Sequence, residues 1–174
     1  MLKEARIYSL AQVGGQCVMV LEETDGPRLL PIWIGLYEGG SIGMALAGQK
    51  FPRPLTHDLL LGMLDKCGAG VEKIVITELK DSTFFAEIHV LQQGRNFVMD
   101  ARPSDSVALA VRQRCPIFVD EKVFDACPEL LKPISEDEVS DFKRKLENMT
   151  PEDFFRDLKK REEGDEGEGP APEK

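Results

Sequence analysis

The sequence predicts an α/β protein of the α+β kind. It reads as one compact domain with a mixed, largely antiparallel sheet flanked by helices, plus C-terminal helices. Three observations carry this. Short β-rich runs at 5–10, 16–23 and 29–34 are separated by turn residues. Apolar residues at the 3.6-residue period follow two Arg-Pro segments and mark helices. The 174 residues, 42% hydrophobic and 30% charged, suit one globular domain with a sizeable core.

Gly14-Gly15 punctuates the first two strands, and Thr24-Asp25-Gly26-Pro27 is a turn by composition. Pro31 inside the third run predicts an edge position or a bulge, because proline cannot donate to the ladder. The three runs are expected to form an antiparallel meander. Residues 37–47 read as a helix crowded with Gly39, Gly40, Ser41, Gly43, Ala45 and Ala47, closed by Gly48. Glycine costs about 1 kcal/mol against alanine in a helix interior. Close approach to another backbone, at a subunit contact, is the expected reason.

Phe51-Pro52-Arg53-Pro54 is a stiff linker, and Thr56 then reads as the N-cap of a helix carrying Leu59, Leu60, Met63 and Leu64 on one side. Strands at 71–79 and 83–92 flank Lys80-Asp81-Ser82 as a hairpin, and Gly94 turns the chain into a strand at 96–100. A strongly apolar helix over 103–114 follows, with Ser104 as its expected cap, then a strand at 116–119 and a short helix at 121–126. Ser135 and Glu138 match the capping-box spacing, and Thr150-Pro151 restarts a helix in the favoured cap/N1 arrangement. The expected organisation is therefore a domain at 1–130, C-terminal helices at 131–160 and a disordered acidic tail at 161–174.

Composition narrows the function classes. No stretch approaches the ~20 apolar residues of a membrane helix, and MLKEARIYSL has no apolar signal region, so a cytoplasmic location is expected. Cys17, Cys67, Cys115 and Cys127 form no C-x-x-C pair and read as reduced, mostly buried small hydrophobes rather than a zinc site. Net charge is −9, so binding a polyanion needs a local basic patch rather than a global field. Arg53, Arg95, Arg102, Arg112 and Arg114 are the candidates for it, while Phe51, Phe97, Tyr37 and Trp33 are expected in apolar packing or an interface. There is no Walker A loop, G-x-S-x-G elbow or H-E-x-x-H motif.

The chemistry concentrates in Arg53-Pro54-Leu55-Thr56-His57-Asp58 and Asp100-Ala101-Arg102-Pro103-Ser104-Asp105. Each places an arginine just before a helix N-terminus and an aspartate inside its first turn. Free N–H groups and the positive dipole end there can receive a phosphate, and arginine supplies a matching fork. The same residues also suit plain dipole complementation and loop-locking ion pairs. His57, as a neutral imidazole beside Asp58, fits a base or a metal ligand, while His89 alternates along a strand and reads as structural.

At these residues the chain resembles the bifunctional nuclease domain family. The resemblance rests on Leu30-Pro31-Ile32-Trp33-Ile34-Gly35, the Arg53–Leu60 and Asp100–Ala110 stretches, Phe84-Phe85-Ala86 and Pro116-Ile117-Phe118-Val119. It spans residues 3–130 and implies a bacterial member with DNase and RNase activity, acting on nucleic acid as a homodimer. Glu38-Gly39-Gly40 departs from the Glu-Ala of relatives but removes no ionisable group. Arg53, His57, Asp58, Asp100, Arg102, Ser104 and Asp105 occupy matching positions, and the family supplies no settled catalytic set. The expected catalytic residues are therefore His57, Asp58, Asp100 and Asp105, with Arg53, Arg102 and Ser104 on the substrate. A divalent metal such as Mg would draw on Glu38, Asp58, Asp100 and Asp105. A non-catalytic interaction or regulatory module, and a small-anion binder at the helix N-termini, are the alternatives.

Overall fold

Three tight hairpins build most of the sheet, and each turn is forced by two residues with positive φ. Gly14 and Gly15 lie at 53° and 85°, Asp81 and Ser82 at 48° and 59°, Gln93 and Gly94 at 49° and 77°. Paired positive φ values match the twist of the flanking strands, which is why such two-residue loops close hairpins. The computed structural model describes residues 1–128, 130–132, 141, 142, 144, 148–153, 155 and 156.

The chain runs β1 (Leu2–Val13), β2 (Gln16–Glu23), β3 (Arg28–Ile34), α1 (Leu36–Leu46), α2 (Thr56–Lys66), β4 (Ala69–Lys80), β5 (Thr83–Gln92) and β6 (Arg95–Ala101). It continues through α3 (Pro103–Gln113), β7 (Ile117–Asp120), α4 (Glu121–Ala126) and β8 (Leu130–Leu131). The eight strands lie in the order β6-β5-β4-β7-β1-β2-β3-β8. β4 and β7 pair in parallel and the other neighbours pair antiparallel, so the mixed, largely antiparallel sheet is as expected. The β1–β2–β3 meander forms as read from the sequence. Pro31 sits on the side of β3 where β8 covers only Arg28 and Leu29, so it costs the sheet little.

The core lies between sheet and helices. α3 supplies Val107, Ala108, Leu109 and Ala110, all buried against Ile74, Ile76, Ala86 and Ile88 of the central strands and Ile42 of α1. Its Ser106 is fully buried and donates to the Arg102 carbonyl, 3.0 Å away, which satisfies the hydroxyl inside the helix. α2 is different: none of its residues is buried, and it touches the core through Leu61 and Leu64 while Leu59, Leu60 and Met63 stay exposed.

Several local expectations change. The cap positions are Leu55 and Arg102, not Thr56 and Ser104. Pro103 takes the first helical turn, where its missing N–H costs nothing, and this puts the cap at Arg102, two residues before Ser104. At α2 the Leu55 N–H is taken by Asp58 Oδ2 at 3.0 Å. Only one glycine of α1 is sterically required. A Cβ on Gly39 would lie 2.4 Å from Cys17 Sγ on β2, while Gly40 meets open space and Gly43 only ordinary contact with Leu10. The close approach is thus to a side chain of the same chain. Tyr37, Phe51 and Phe97 are exposed rather than packed, and Cys67 is exposed at the end of α2. Cys17 and Cys127 are buried and Cys115 is partly so.

At the C-terminal side, Thr150 does cap: its Oγ1 accepts from the Asp153 N–H at 3.1 Å. The Ser135–Glu138 capping box and the acidic tail lie outside the described residues. Among the described residues no helix is long and apolar enough to cross a membrane.

Candidate functional site

β6 ends at Ala101, the backbone at Arg102 stays extended, and Pro103 starts α3 at once. This places the first turn of α3 beside the first turn of α2, which enters the same side from the Pro52–Pro54 linker. Between the two lies a cavity of about 600 Å³. Thr56, His57, Arg102 and Asp105 supply its polar wall, and Asp100 borders it. Leu60, Phe84, Ile88, Met99 and Leu109 form its apolar part.

The polar side chains form a connected network. Arg102 grips Asp105 with both arms of its fork, Nε to Oδ2 at 2.7 Å and Nη2 to Oδ1 at 3.1 Å. Its Nη1 donates to Glu38 Oε1 on α1 at 3.1 Å. The paired carboxylates, Asp105 first, raise the Arg102 pKa above its ordinary value, so the cation persists. Arg102 nonetheless keeps 65% of its side chain exposed, so part of its fork still faces solvent.

His57 is mostly enclosed, with 16% of its side chain exposed. Its Nδ1 lies 3.1 Å from Ser41 Oγ of α1, and its Nε2 lies 3.5 Å from Asp105 Oδ1. Ser41 Oγ also accepts from Arg112 Nη2 at 3.0 Å. The ring is therefore held by one hydroxyl, and its other nitrogen faces the carboxylate at the cavity wall. The 3.5 Å separation is longer than a hydrogen bond, so Nε2 keeps room for an exchangeable partner.

Asp58 turns away from this wall. Its Oδ1 accepts from Arg112 Nε at 2.9 Å while Oδ2 closes the start of α2. Arg112 is only 9% exposed and also donates to the Ala108 and Ser41 carbonyls. It is a strut joining α1, α2 and α3, not part of a basic patch. Arg114 stands at the far end of α3, about 18 Å from Arg102 by helix rise. Arg53 is exposed in the linker and Ser104 is buried; neither lines the cavity. Asp100 faces Glu87 across the β5–β6 ladder, and the pleat puts it on the opposite face from Met99 and Ala101.

The four carboxylates proposed for a metal do not meet as one set: Glu38 and Asp105 converge on Arg102, while Asp58 turns to Arg112. The oxygens of these three are already committed to cations. Among the described residues no group of three or more His, Cys, Asp and Glu has the spacing to hold a metal ion. The residues present do not fit a carboxylate-held divalent site. Ser41 and Arg112 were missed as site supports at the sequence level. The signal available, a serine within a run of small residues and an arginine in a last helical turn, is common to many helices.

Comparison with known proteins decides the family. Residues 19–130 match the bifunctional nuclease domain. The chain belongs to the bifunctional nuclease domain family. Similar to it are an uncharacterized protein of Mycobacterium tuberculosis, 38% identical over 162 residues that cover 87% of this chain and 97% of the relative. Bifunctional nuclease 2 of Arabidopsis thaliana is 30% identical over 107 residues, covering 59% of this chain and 32% of the plant protein. Bifunctional nuclease 1 of Oryza sativa subsp. japonica is 25% identical over 122 residues, covering 68% of this chain and 37% of that protein. The matched family region contains α1, α2, α3 and every polar residue of the cavity wall.

Proposed function

We propose that this protein is a nuclease of the bacterial cytoplasm that hydrolyses phosphodiester bonds of DNA and RNA at the cavity between α2 and α3, working as a homodimer. The observation that carries the reading is the meeting of His57, Arg102 and Asp105 in one open cavity at two helix N-termini. Arg102 is the phosphate-binding residue, because its fork is charged and part-exposed and a phosphate oxygen can replace one carboxylate oxygen. His57 moves the proton through Nε2, the nitrogen that faces the wall, with Asp105 stabilising the imidazolium form. Ser41, fixed by Arg112, positions the ring through Nδ1. Leu60, Met99 and Phe85 offer apolar surface to the sugar or base, which suits splayed single strands. Arg53 lies outside the cavity, where it would meet a neighbouring phosphate of a longer strand.

The test is cleavage of labelled single-stranded DNA and RNA by the purified full chain. His57→Ala is expected to lower the rate by about 100-fold or more, the usual contribution of a positioned acid–base group. Arg102→Ala is expected to weaken substrate binding and the rate together. Wild type and His57→Ala that cleave equally would trace the activity to a contaminant. Phosphate or oligonucleotide binding without any cleavage would leave the anion-binding alternative in its place. Chelator is expected to leave the rate unchanged, since the carboxylates are held by arginines; complete loss on chelation would reopen a metal route.

A further inference from the structure

We infer that the free edge of β6 pairs with β6 of a second copy of this chain, centred on Val98, and that the second copy brings Arg95 to the mouth of the cavity. The two edges of the sheet are not alike. At one, β8 covers the start of β3 and Pro31 removes a donor beyond it. At the other, β6 presents seven residues of which six are exposed, with no lysine, proline or bulge to blunt it. Phe97, Val98 and Met99 are 46%, 55% and 53% exposed. An open row of N–H and C=O groups carrying consecutive exposed apolar side chains is a template for another strand.

The strand's own sequence selects the occupant. Arg95-Asn96-Phe97-Val98-Met99-Asp100-Ala101 laid antiparallel to itself about Val98 sets Val98 on Val98, Phe97 on Met99 and Asn96 on Asp100. Apolar meets apolar at the three central positions, and a carboxamide donor meets a carboxylate on either side. No like charges face each other, which is the condition for favourable cross-strand pairs. A two-fold axis through Val98, perpendicular to the sheet, leaves each side chain on the face it already occupies. The β5–β6 register puts Phe97, Met99 and Ala101 on the face of buried Val90, Ile88 and Ala86. Leu60 of α2 reaches the same cavity as Met99, so Phe97 of the partner subunit would settle against an apolar wall. In this register Arg95 of the partner subunit stands opposite Ala101, next to Arg102. Arg95 makes no ion pair among the described residues, so its charge is available. This last step rests on the phosphodiester reading; the strand pairing does not.

The pairing is tested on the full chain by sedimentation and by crosslinking. Wild type is expected to sediment as a dimer at micromolar concentration. Val98→Lys, which opposes two ammonium groups on the axis, is expected to sediment as a monomer with an unchanged circular dichroism spectrum. In a Cys67→Ser background, which removes the exposed thiol, Val98→Cys is expected to form a disulfide dimer on mild oxidation. Opposed strand residues have Cα atoms about 4.5–5.5 Å apart, within disulfide reach. A monomeric wild type, or a dimer that Val98→Cys does not crosslink, overturns the pairing. Arg95→Ala is expected to weaken oligonucleotide binding several-fold with the dimer intact. Unchanged binding with an intact dimer removes Arg95 from the site and leaves the strand pairing standing.

Discussion

Gly39 shows how a single position ties sequence to packing. It is buried on α1 directly over β2, and any Cβ there would meet Cys17 Sγ at 2.4 Å. Cys17 is itself buried, with few rotamers to retreat into, and desolvation raises its thiol pKa, so it packs as a neutral group. Gly39→Ala is therefore expected to destabilise by about 1–3 kcal/mol, the usual cost of overpacking. Gly40→Ala, two positions of one helix with the same propensity gain, meets open space and is expected to stabilise by up to about 1 kcal/mol. Denaturant unfolding of both variants separates the two effects. If Cys17→Ala does not relieve Gly39→Ala in the double variant, the clash is not the cause.

Among the elements, α2 adds polar anchors to the partial packing of Leu61 and Leu64. It buries no residue, and its inner end is fixed by Asp58, which holds the Leu55 N–H and receives Arg112 from α3. Arg112→Ala is expected to cost about 2–3 kcal/mol, since it strands Asp58 and removes donors to two carbonyls. It should also loosen His57, because the Ser41 hydroxyl loses its anchor. Thermal unfolding gives the first number, and the cleavage rate gives the second. A rate that falls in proportion to unfolding alone would remove the positioning role. This element also marks where the sequence stops being legible. Strands β1 to β7, the hairpin turns and the Pro103 start of α3 were readable because they follow from neighbouring residues, whereas β8 forms only by pairing with β3. Ser41 and His57 are 16 apart in sequence, and Arg112 and Asp58 are 54 apart, so their meeting depends on how helices pack. The caps lie one residue early at α2 and two at α3 for local reasons, the Asp58 bond to Leu55 and the fixed φ of Pro103. Exposure of Phe97 and Tyr37 was not readable, because composition favours burial of aromatics and cannot say which edge stays open.

At the scale of the whole molecule, the sheet's other end is locked by charge. Glu22 and Glu23 end β2 and are only 6% and 7% exposed. Arg28 chelates Glu23 at 2.9 and 3.1 Å, reaches Asp125 of α4 at 3.0 Å and lies over the Phe124 ring. Glu22 pairs with Arg6 on β1 and with Lys132 beyond β8. Hydrogen bonding from Arg28 holds the Glu23 pKa below its ordinary value; for Glu22, burial pushes upward but Arg6 and Lys132 outweigh it. Both folded values are thus depressed relative to the unfolded chain. A depressed carboxylate contributes stability that is present above the unfolded pKa and lost as pH falls through the folded one. Stability should therefore drop on the acid side as these groups protonate and Arg28, Arg6 and Lys132 lose their partners. Glu23→Gln isolates this carboxylate, because groups remote from Arg28, Lys3 and Lys132 contribute equally to both proteins and cancel in the difference. The variant is expected to be less stable than wild type by about 2 kcal/mol at neutral pH, the scale of a charge-assisted hydrogen bond in a nearly buried site. As pH falls below the ordinary glutamate range the gap should close, because wild-type Glu23 becomes as neutral as the glutamine. Urea unfolding across that range reads the gap directly. A gap of constant size at every pH would mean that Glu23 stays ionised or contributes by shape alone, and the charge lock would then not set the acid limit of the fold.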